Sequence, residues 1–137
     1  MTLDPSLIDA FRQELSAATS VLIGTHLNPD GDALGSALGL SHYLWSEGIK
    51  NEVVCNNLAP ANLAFLPGAS KIRLSPVHDS HDLAIVLDLE SLDRLGSTQN
   101  HFADLDHMIV IDHHVPHEKP GSLRIVDTKA AATAVLI

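Results

Sequence analysis

Hydrophobic positions along this 137-residue chain change between helical spacing and short, uninterrupted apolar runs. Asp4 and Pro5, followed by apolar residues three or four positions apart, predict a first helix, because Asp is a good N-cap and Pro is favoured at the first helical position. A second helical pattern runs from Ala33 to Glu47, and Gly48 stands where a helix C-cap is expected. Six segments have the apolar character of strands, the third weaker than the rest: Ser20–Thr25, Asn51–Asn56, Lys71–Leu74, Leu83–Leu87, Met108–Ile111 and Leu123–Val126.

The order of these segments predicts the fold class. Strands that are apolar throughout, separated by helical patterns, are typical of a parallel sheet covered on both faces. We therefore expect an α/β fold with a doubly wound, mainly parallel sheet of about five strands and helices on both faces. Leu58–Leu66 is expected to form a short helix or a loop. Gly31, Gly35 and Gly39 are expected to let the second helix pack closely on the sheet.

The length of 137 residues corresponds to one domain with a core of ordinary size. Ala130–Ile137 begins a helix-like segment that has no cap, no glycine and an apolar last residue. We therefore expect residues 1–137 to be one domain that is cut short at its C-terminal end. The unfinished apolar segment is expected to favour association into a homodimer.

Composition places the chain among globular proteins, because 45% of its residues are hydrophobic and 18% are charged. No apolar run approaches the ~18 residues that indicate a membrane span, so we expect no membrane partner. The N-terminus, starting at Met1, has no basic region followed by an apolar run, so we expect no signal peptide. Cys55 is the only cysteine, which excludes an internal disulfide framework and favours a reducing, cytoplasmic location. Cys55 itself is expected to be a core residue.

The charge balance is acidic, with 8 Lys and Arg against 17 Asp and Glu and a formal net charge of -9. This balance argues against binding along duplex nucleic acid, which requires a basic face. A small phosphorylated substrate remains compatible with it, because bound cations can supply the positive charge that the side chains lack.

Carboxylates and imidazoles follow three of the apolar strands: the loop 26–32 follows the first, Asp88 comes after Leu87, and Asp112–His114 comes after Ile111. Because ligand sites of parallel sheets form beyond the carboxyl ends of the strands, these groups are expected on one rim. Imidazole and carboxylate are the ligands that borderline and hard divalent cations prefer. A common use of such a site is to activate water against a phosphate ester.

Each of these features also has a purely structural interpretation. A strand-ending acid such as Asp88 or Asp127 is often the N-cap of the next helix. The run Asn28–Asp32 is typical of a surface turn. A pair of histidines occurs readily by chance in a chain with nine of them. The joint placement of these groups at three strand ends favours a metal centre over caps and turns alone.

The same motifs resemble those of the DHH phosphoesterase superfamily, in the same order and over nearly the whole chain. The matching stretches are His26-Leu-Asn-Pro-Asp-Gly-Asp-Ala-Leu-Gly-Ser36, Asp88-Leu-Glu-Ser-Leu-Asp-Arg-Leu-Gly96, Asp112-His-His114 and Asp127-Thr-Lys-Ala-Ala-Ala-Thr133. The sequence Asn-Pro-Asp-Gly-Asp-Ala is similar to the motif of the oligoribonuclease/pAp-phosphatase (nanoRNase) branch. It is less similar to the pyrophosphatase branch, which has Asp-Thr-Asp-Ser at this place.

The resemblance implies a site for two manganese ions, and it assigns ligands in this sequence. His26 and Asp30 would bind one ion. Asp32 and His113 would bind the other, with Asp88 bridging the two. Carboxylates and imidazoles are suitable ligands for manganese.

The resemblance also implies two catalytic roles. His114 would contact the scissile phosphate or its leaving oxygen, and Asp112 would orient the neighbouring histidines. Two features of the superfamily lie outside this chain: a further metal-binding Asp in a later motif, and a second, substrate-binding domain. We therefore expect the N-terminal DHH domain alone, with a weakly bound second ion and low activity.

These expectations together predict a manganese-dependent phosphoesterase. Its substrates would be short single-stranded oligoribonucleotides, 3'-phosphoadenosine 5'-phosphate (pAp) or both, and linear products of cyclic dinucleotides stay open as well. The alternative is a non-catalytic nucleotide-binding or regulatory fragment that retains the DHH fold.

Overall fold

The computed structural model describes residues 3–137; Met1 and Thr2, where the expectation about a signal peptide begins, lie outside the described residues. Its centre is a sheet of five strands in the order β2-β1-β3-β4-β5, and every neighbouring pair is parallel. The predicted α/β class is therefore confirmed. The strands are β1 (Ser20–Thr25), β2 (Lys50–Val54), β3 (Leu83–Leu87), β4 (Met108–Asp112) and β5 (Leu123–Val126).

Two α-helices cover one face of the sheet: α1 (Pro5–Ala17) and α2 (Gly31–Ser46). Both begin at capping acids, because the Ser6 amide donates to Asp4 Oδ1 at 2.9 Å and the Ala33 amide donates to Asp30 Oδ1 at 2.9 Å. Their apolar residues form one core with the β1, β3 and β4 side chains that point to this face. The Asp30 cap places the start of α2 at Gly31, directly after the loop that follows β1.

The opposite face is covered by a 3-10 helix, Leu92–His101, rather than by an α-helix. Leu95 and the following Phe102 are buried against Leu22, Val86 and Val110 of the sheet. Gly96 interrupts the helix with φ 58° and ψ -133°, a backbone conformation that glycine adopts without steric cost. Helical structure thus lies on both faces as expected, but its type on the second face was not predicted.

Two predicted segments differ from the structure. Lys71–Leu74 is not a strand, because it contributes only a single parallel bridge from Arg73 to Val54 at the edge of β2. Ile72 is the one buried side chain of this segment, so the apolar pattern that predicted a strand reflects a single buried residue. Ala130–Ile137 contains only a short 3-10 helix, Thr133–Val135.

The expectation about the α2 glycines is wrong. A Cβ at Gly31, Gly35 or Gly39 would have no neighbouring atom within 4 Å. The close approach occurs at Gly24 of β1 instead, where a Cβ would overlap the ring of Phe102. Among residues 3–137, no helix is both long and apolar enough to cross a bilayer.

Candidate metal centre

The carboxyl ends of β1, β3 and β4 lie side by side at the middle of the sheet. The loop that begins at His26 follows β1, Asp88 follows β3, and Asp112 ends β4 with His113 and His114 directly after it. Parallel strands bring these ends to one rim, which is where ligand sites form in such sheets. The structure therefore brings all the predicted metal-binding and catalytic residues to one place.

Asp88 lies at the centre of this arrangement. Its side chain is 2% exposed, and its oxygens lie 3.5 Å from His26 Nε2, 3.6 Å from His113 Nε2 and 3.7 Å from His114 Nδ1. Its backbone is in the left-handed region with φ 60°, where Asp is tolerated better than most residues. A buried carboxylate in a costly conformation is typical of functional sites.

Two groups of donor atoms meet at Asp88. One consists of His26, Asp30 and Asp88, and the other of Asp88, His113 and His114; within each group the donor atoms lie within 4.8 Å of one another. The mixture of imidazole nitrogens and carboxylate oxygens is the donor chemistry that divalent transition metals prefer. Because Asp88 belongs to both groups, these residues fit two cations that share one carboxylate.

The rings of His26 and His113 are turned so that one nitrogen of each faces the acids. His26 Nδ1 donates to the Leu27 carbonyl at 2.7 Å, and His113 Nδ1 donates to the Ala130 carbonyl at 3.2 Å. In the neutral rings, Nε2 is then an acceptor that is free to bind a cation. The hydrogen bond to Asp88 raises the pKa of His26, so protons and cations would compete for this nitrogen.

Asp32 lies on the other side of His113, with 3.6 Å between Asp32 Oδ2 and His113 Nε2. Its carboxylate accepts hydrogen bonds from the Thr133 amide at 2.8 Å, the Ala134 amide at 2.9 Å and the Ser36 hydroxyl at 3.3 Å. Burial acts to raise the pKa of Asp32, but these donors outweigh it and the pKa is lowered. The carboxylate is therefore held ionised and in a fixed orientation.

Asp112 is fully buried and contacts both histidines that follow it. Its Oδ1 accepts from the His113 amide at 2.8 Å and from His114 Nδ1 at 2.7 Å. Although burial acts to lower it, the hydrogen bond to Asp112 raises the pKa of His114. With Nδ1 committed to Asp112, the partly exposed His114 ring presents Nε2 as its second functional nitrogen. Asp112 Oδ2 is buried and has no hydrogen-bond partner within the described part of the chain.

Thr133 is a site residue that the sequence analysis did not single out. Its fully buried hydroxyl donates to Asp88 Oδ1 at 2.9 Å, and its amide is one of the Asp32 donors. The available signal was a lone hydroxyl residue within the apolar run Ala130–Ile137. Asp127, by contrast, has no side-chain contact with the metal-site acids or histidines in residues 3–137; its amide donates to the Asp112 carbonyl at 3.2 Å.

The chain matches a known protein family and several known proteins. Residues 20–137 match the family model described as DHH family, N-terminal domain. The chain is 34% identical over 120 residues to the bifunctional oligoribonuclease and PAP phosphatase NrnA of Thermus thermophilus, covering 85% of this chain and 35% of that protein. It is 27% identical over 125 residues to a probable protein of the same description from Streptococcus mutans, covering 90% of this chain and 39% of the relative.

A solved structure has the same fold. The crystal structure of an exopolyphosphatase-related protein from Bacteroides fragilis superposes with a TM-score of 0.90 and 29% sequence identity, over 98% of this chain and 42% of that one. The chain therefore spans 35%, 39% and 42% of the length of these three relatives, which is less than half of each.

Proposed function

The chain belongs to the DHH family as an N-terminal domain, and from this premise we propose that it is the catalytic half of a manganese-dependent phosphoesterase. Its substrates would be short single-stranded oligoribonucleotides, pAp or both, as the names of the NrnA relatives indicate for those proteins. The main support for the proposal is the buried Asp88 carboxylate, which belongs to both groups of side chains that could hold a metal ion.

His26, Asp30, Asp88 and His113 are proposed as ligands from the two donor groups. Asp32 is added from the family resemblance and its distance of 3.6 Å to His113 Nε2, whereas His114, the third member of the second group, is hydrogen-bonded to Asp112 and takes a different role. His26 and Asp30, whose Nε2 and Oδ1 atoms are 3.8 Å apart, would hold one ion. Asp32 and His113 would hold the other, and Asp88 would be a ligand common to both. A pair of manganese ions there would lower the pKa of a water molecule and neutralise charge on the phosphoryl oxygens.

His114 and Asp112 take the proton-transfer and positioning roles. Because Asp112 accepts from His114 Nδ1 at 2.7 Å, it fixes the ring orientation and stabilises the protonated imidazole. A protonated His114 can donate from Nε2 to the leaving oxygen of the phosphate ester. In the metal-free site burial acts to lower the pKa of His114, but the hydrogen bond and the charge of Asp112 outweigh it and the pKa is raised; bound cations would act to lower it.

The relatives are more than twice as long as the matched region, so the phosphoesterase activity of the whole protein is part of what we propose. The cytoplasmic location and the homodimer remain predictions from the sequence.

The proposal is tested by manganese titration and by hydrolysis of a diribonucleotide. We expect the chain to bind manganese by calorimetry, and Asp88→Asn to abolish both the binding and the hydrolysis. Asp127→Asn is the matched control, because Asp127 also follows a parallel strand but lies outside the cluster. Equal manganese binding by the two variants would refute the metal centre. Binding without hydrolysis of the diribonucleotide or pAp would favour the non-catalytic nucleotide-binding alternative instead.

A further inference from the structure

The loop between β1 and α2 carries two of the proposed metal ligands, His26 and Asp30. His26 follows the last residue of β1, and Asp30 caps α2 by accepting from the Ala33 amide at 2.9 Å. Between them, Asn28 has φ 50°, in the left-handed region that Asn adopts more readily than most residues. The course of residues 27–29 therefore affects how the two ligands face each other.

One peptide group of this loop, between Leu27 and Asn28, is held from both sides. Its carbonyl accepts from His26 Nδ1 at 2.7 Å, and its amide donates to Asn57 Oδ1 at 2.8 Å. The carbonyl and the amide of a peptide lie in one rigid plane. The hydrogen bond to Asn57 therefore restrains the same carbonyl that orients the His26 ring.

Asn57 reaches this peptide because β2 lies beside β1 in the sheet. The two strands are parallel, and Gly24 pairs with Val54, so the residues that follow each strand leave the sheet next to one another. The Cys55 thiol donates to the His26 carbonyl at 3.4 Å, which is a second contact between the same two loops.

Asn57 is itself held by its neighbour Asn56. The Asn56 Nδ2 group donates to Asn57 Oδ1 at 3.0 Å, and Asn56 Oδ1 accepts from the Ser97 amide at 2.8 Å. Ser97 belongs to the 3-10 helix on the second face of the sheet, which also meets the metal-binding loop directly, because the Leu27 amide donates to the Arg94 carbonyl at 2.7 Å. The two asparagines thus join three separate segments at the rim.

We propose that Asn57 is a positioning residue of the metal centre, which holds the Leu27–Asn28 peptide so that His26 Nε2 stays directed towards Asp88, 3.5 Å away. The inference rests on the proposed function, because it concerns a ligand of the same metal centre. Asn57 Oδ1 accepts two hydrogen bonds, which use both lone pairs of an amide oxygen. Asn57 therefore acts through the peptide and not as a ligand.

The test compares the unchanged chain with Asn57→Leu, which removes the acceptor and nearly keeps the size of the side chain. In the metal-free protein, exchange of the Asn28 amide with solvent, measured by NMR, is expected to become about tenfold faster. The affinity for manganese, measured by calorimetry, is expected to fall about tenfold. Asn57→Asp keeps the acceptor oxygen and is expected to keep both the slow exchange and the affinity.

Asn51→Leu is the matched control for a loss of stability alone. Asn51 accepts from the Ser41 hydroxyl at 2.6 Å and donates to the Ile49 carbonyl at 3.1 Å. It pairs with Val21 near the start of β1, at the opposite end of the strand from His26. Asn51→Leu is therefore expected to lower Tm at least as much as Asn57→Leu does, and to leave manganese affinity unchanged.

The outcomes separate this inference from the proposed function. If the unchanged chain binds manganese and Asn57→Leu binds it equally well, the positioning role is overturned and the metal centre stands. If the unchanged chain binds no manganese, the proposed function fails and this inference fails with it. An equal loss of affinity in Asn51→Leu, or a loss in Asn57→Asp as large as in Asn57→Leu, would also overturn the positioning role.

Discussion

The Thr133→Val variant tests whether the hydroxyl of Thr133 supports Asp88, the central carboxylate of the proposed metal centre. Valine preserves the branched shape and nearly the volume of threonine, so the change removes the donor without leaving a cavity. The buried Asp88 oxygen then loses the hydrogen bond of 2.9 Å that it accepts from Thr133. Asp88 is 2% exposed, so water cannot replace this donor.

The expected cost follows from the charge of the acceptor. A hydrogen bond to a charged group contributes about 1.5–3 kcal/mol to the free energy of unfolding. With an unfolding entropy of about 2.1 cal/mol/K per residue, this corresponds to a fall in Tm of about 5–10 °C for a chain of this length. Because the hydroxyl also orients Asp88, we expect manganese affinity to fall by about 10- to 100-fold.

A matched control is present on the other face of the sheet. The hydroxyl of Thr98 is equally buried and donates to the Leu95 carbonyl at 2.7 Å, a neutral acceptor. Thr98→Val should therefore cost only about 0.5–1.5 kcal/mol and leave manganese affinity unchanged. Thr133→Ser keeps the hydroxyl and should retain most of the affinity.

Thermal unfolding of the metal-free variants and calorimetric titration with manganese measure both effects. If Thr133→Val and Thr98→Val lose the same stability and bind manganese equally well, the hydroxyl of Thr133 does not support Asp88. The same conclusion would follow if Thr133→Ser were as impaired as Thr133→Val, since the hydroxyl would then not be the group that matters.

Three further predictions concern packing, pH and metal removal. Gly24→Ala should lower the free energy of unfolding by about 1–3 kcal/mol, because its Cβ would overlap Phe102. Gly39→Ala in α2 should instead raise the free energy of unfolding by about 0.5–1 kcal/mol. Urea unfolding that ranks the two variants in the opposite order would contradict this prediction. Burial acts to raise the pKa of Glu52, but the amide and His81 donors outweigh it and the pKa is lowered. The ionised carboxylate therefore adds to the free energy of unfolding above pH 4.5, the ordinary pKa of Glu, and this stabilisation is lost as pH falls through the lowered pKa. The free energy of unfolding, measured at a series of acidic pH values, should therefore decrease less steeply with falling pH in Glu52→Gln than in the unchanged chain. Manganese at about 100 times its Kd should raise the free energy of unfolding by about 2.7 kcal/mol; EDTA should reverse the gain, and a gain that persists with EDTA would show that it does not come from bound metal.

The strands could be predicted where the local pattern was sufficient. Ser20–Thr25, Leu83–Leu87 and Leu123–Val126 are apolar runs bounded by polar residues, and the structure has the same bounds. Lys71–Leu74 has a similar local pattern, but only Ile72 is buried and its neighbours face solvent. Whether such a segment joins a sheet depends on an edge strand distant in sequence, which a local pattern does not report.

The candidate site was largely predictable because parallel topology brings strand ends together. Once the three strands were identified, His26, Asp88 and Asp112 had to lie on one rim. The hydroxyl of Thr133 and the amides that hold Asp32 could not be predicted in this way. The hydroxyl contact joins positions 45 residues apart and the two amide contacts join positions 101 and 102 residues apart, and nothing in the short-range pattern indicates which turn meets which carboxylate.

The attachment of Asp32 to the Thr133–Ala134 turn has a consequence for biosynthesis. A chain emerging from the ribosome presents α2 and its acids long before the residues that donate to Asp32 exist. Until that turn is made, the carboxylates of the rim repel one another without their amide and hydroxyl partners. In the proposed metal site, Asp32 therefore reaches its fixed orientation only after the Thr133–Ala134 turn has been synthesised, so we expect cations to bind after that turn has formed.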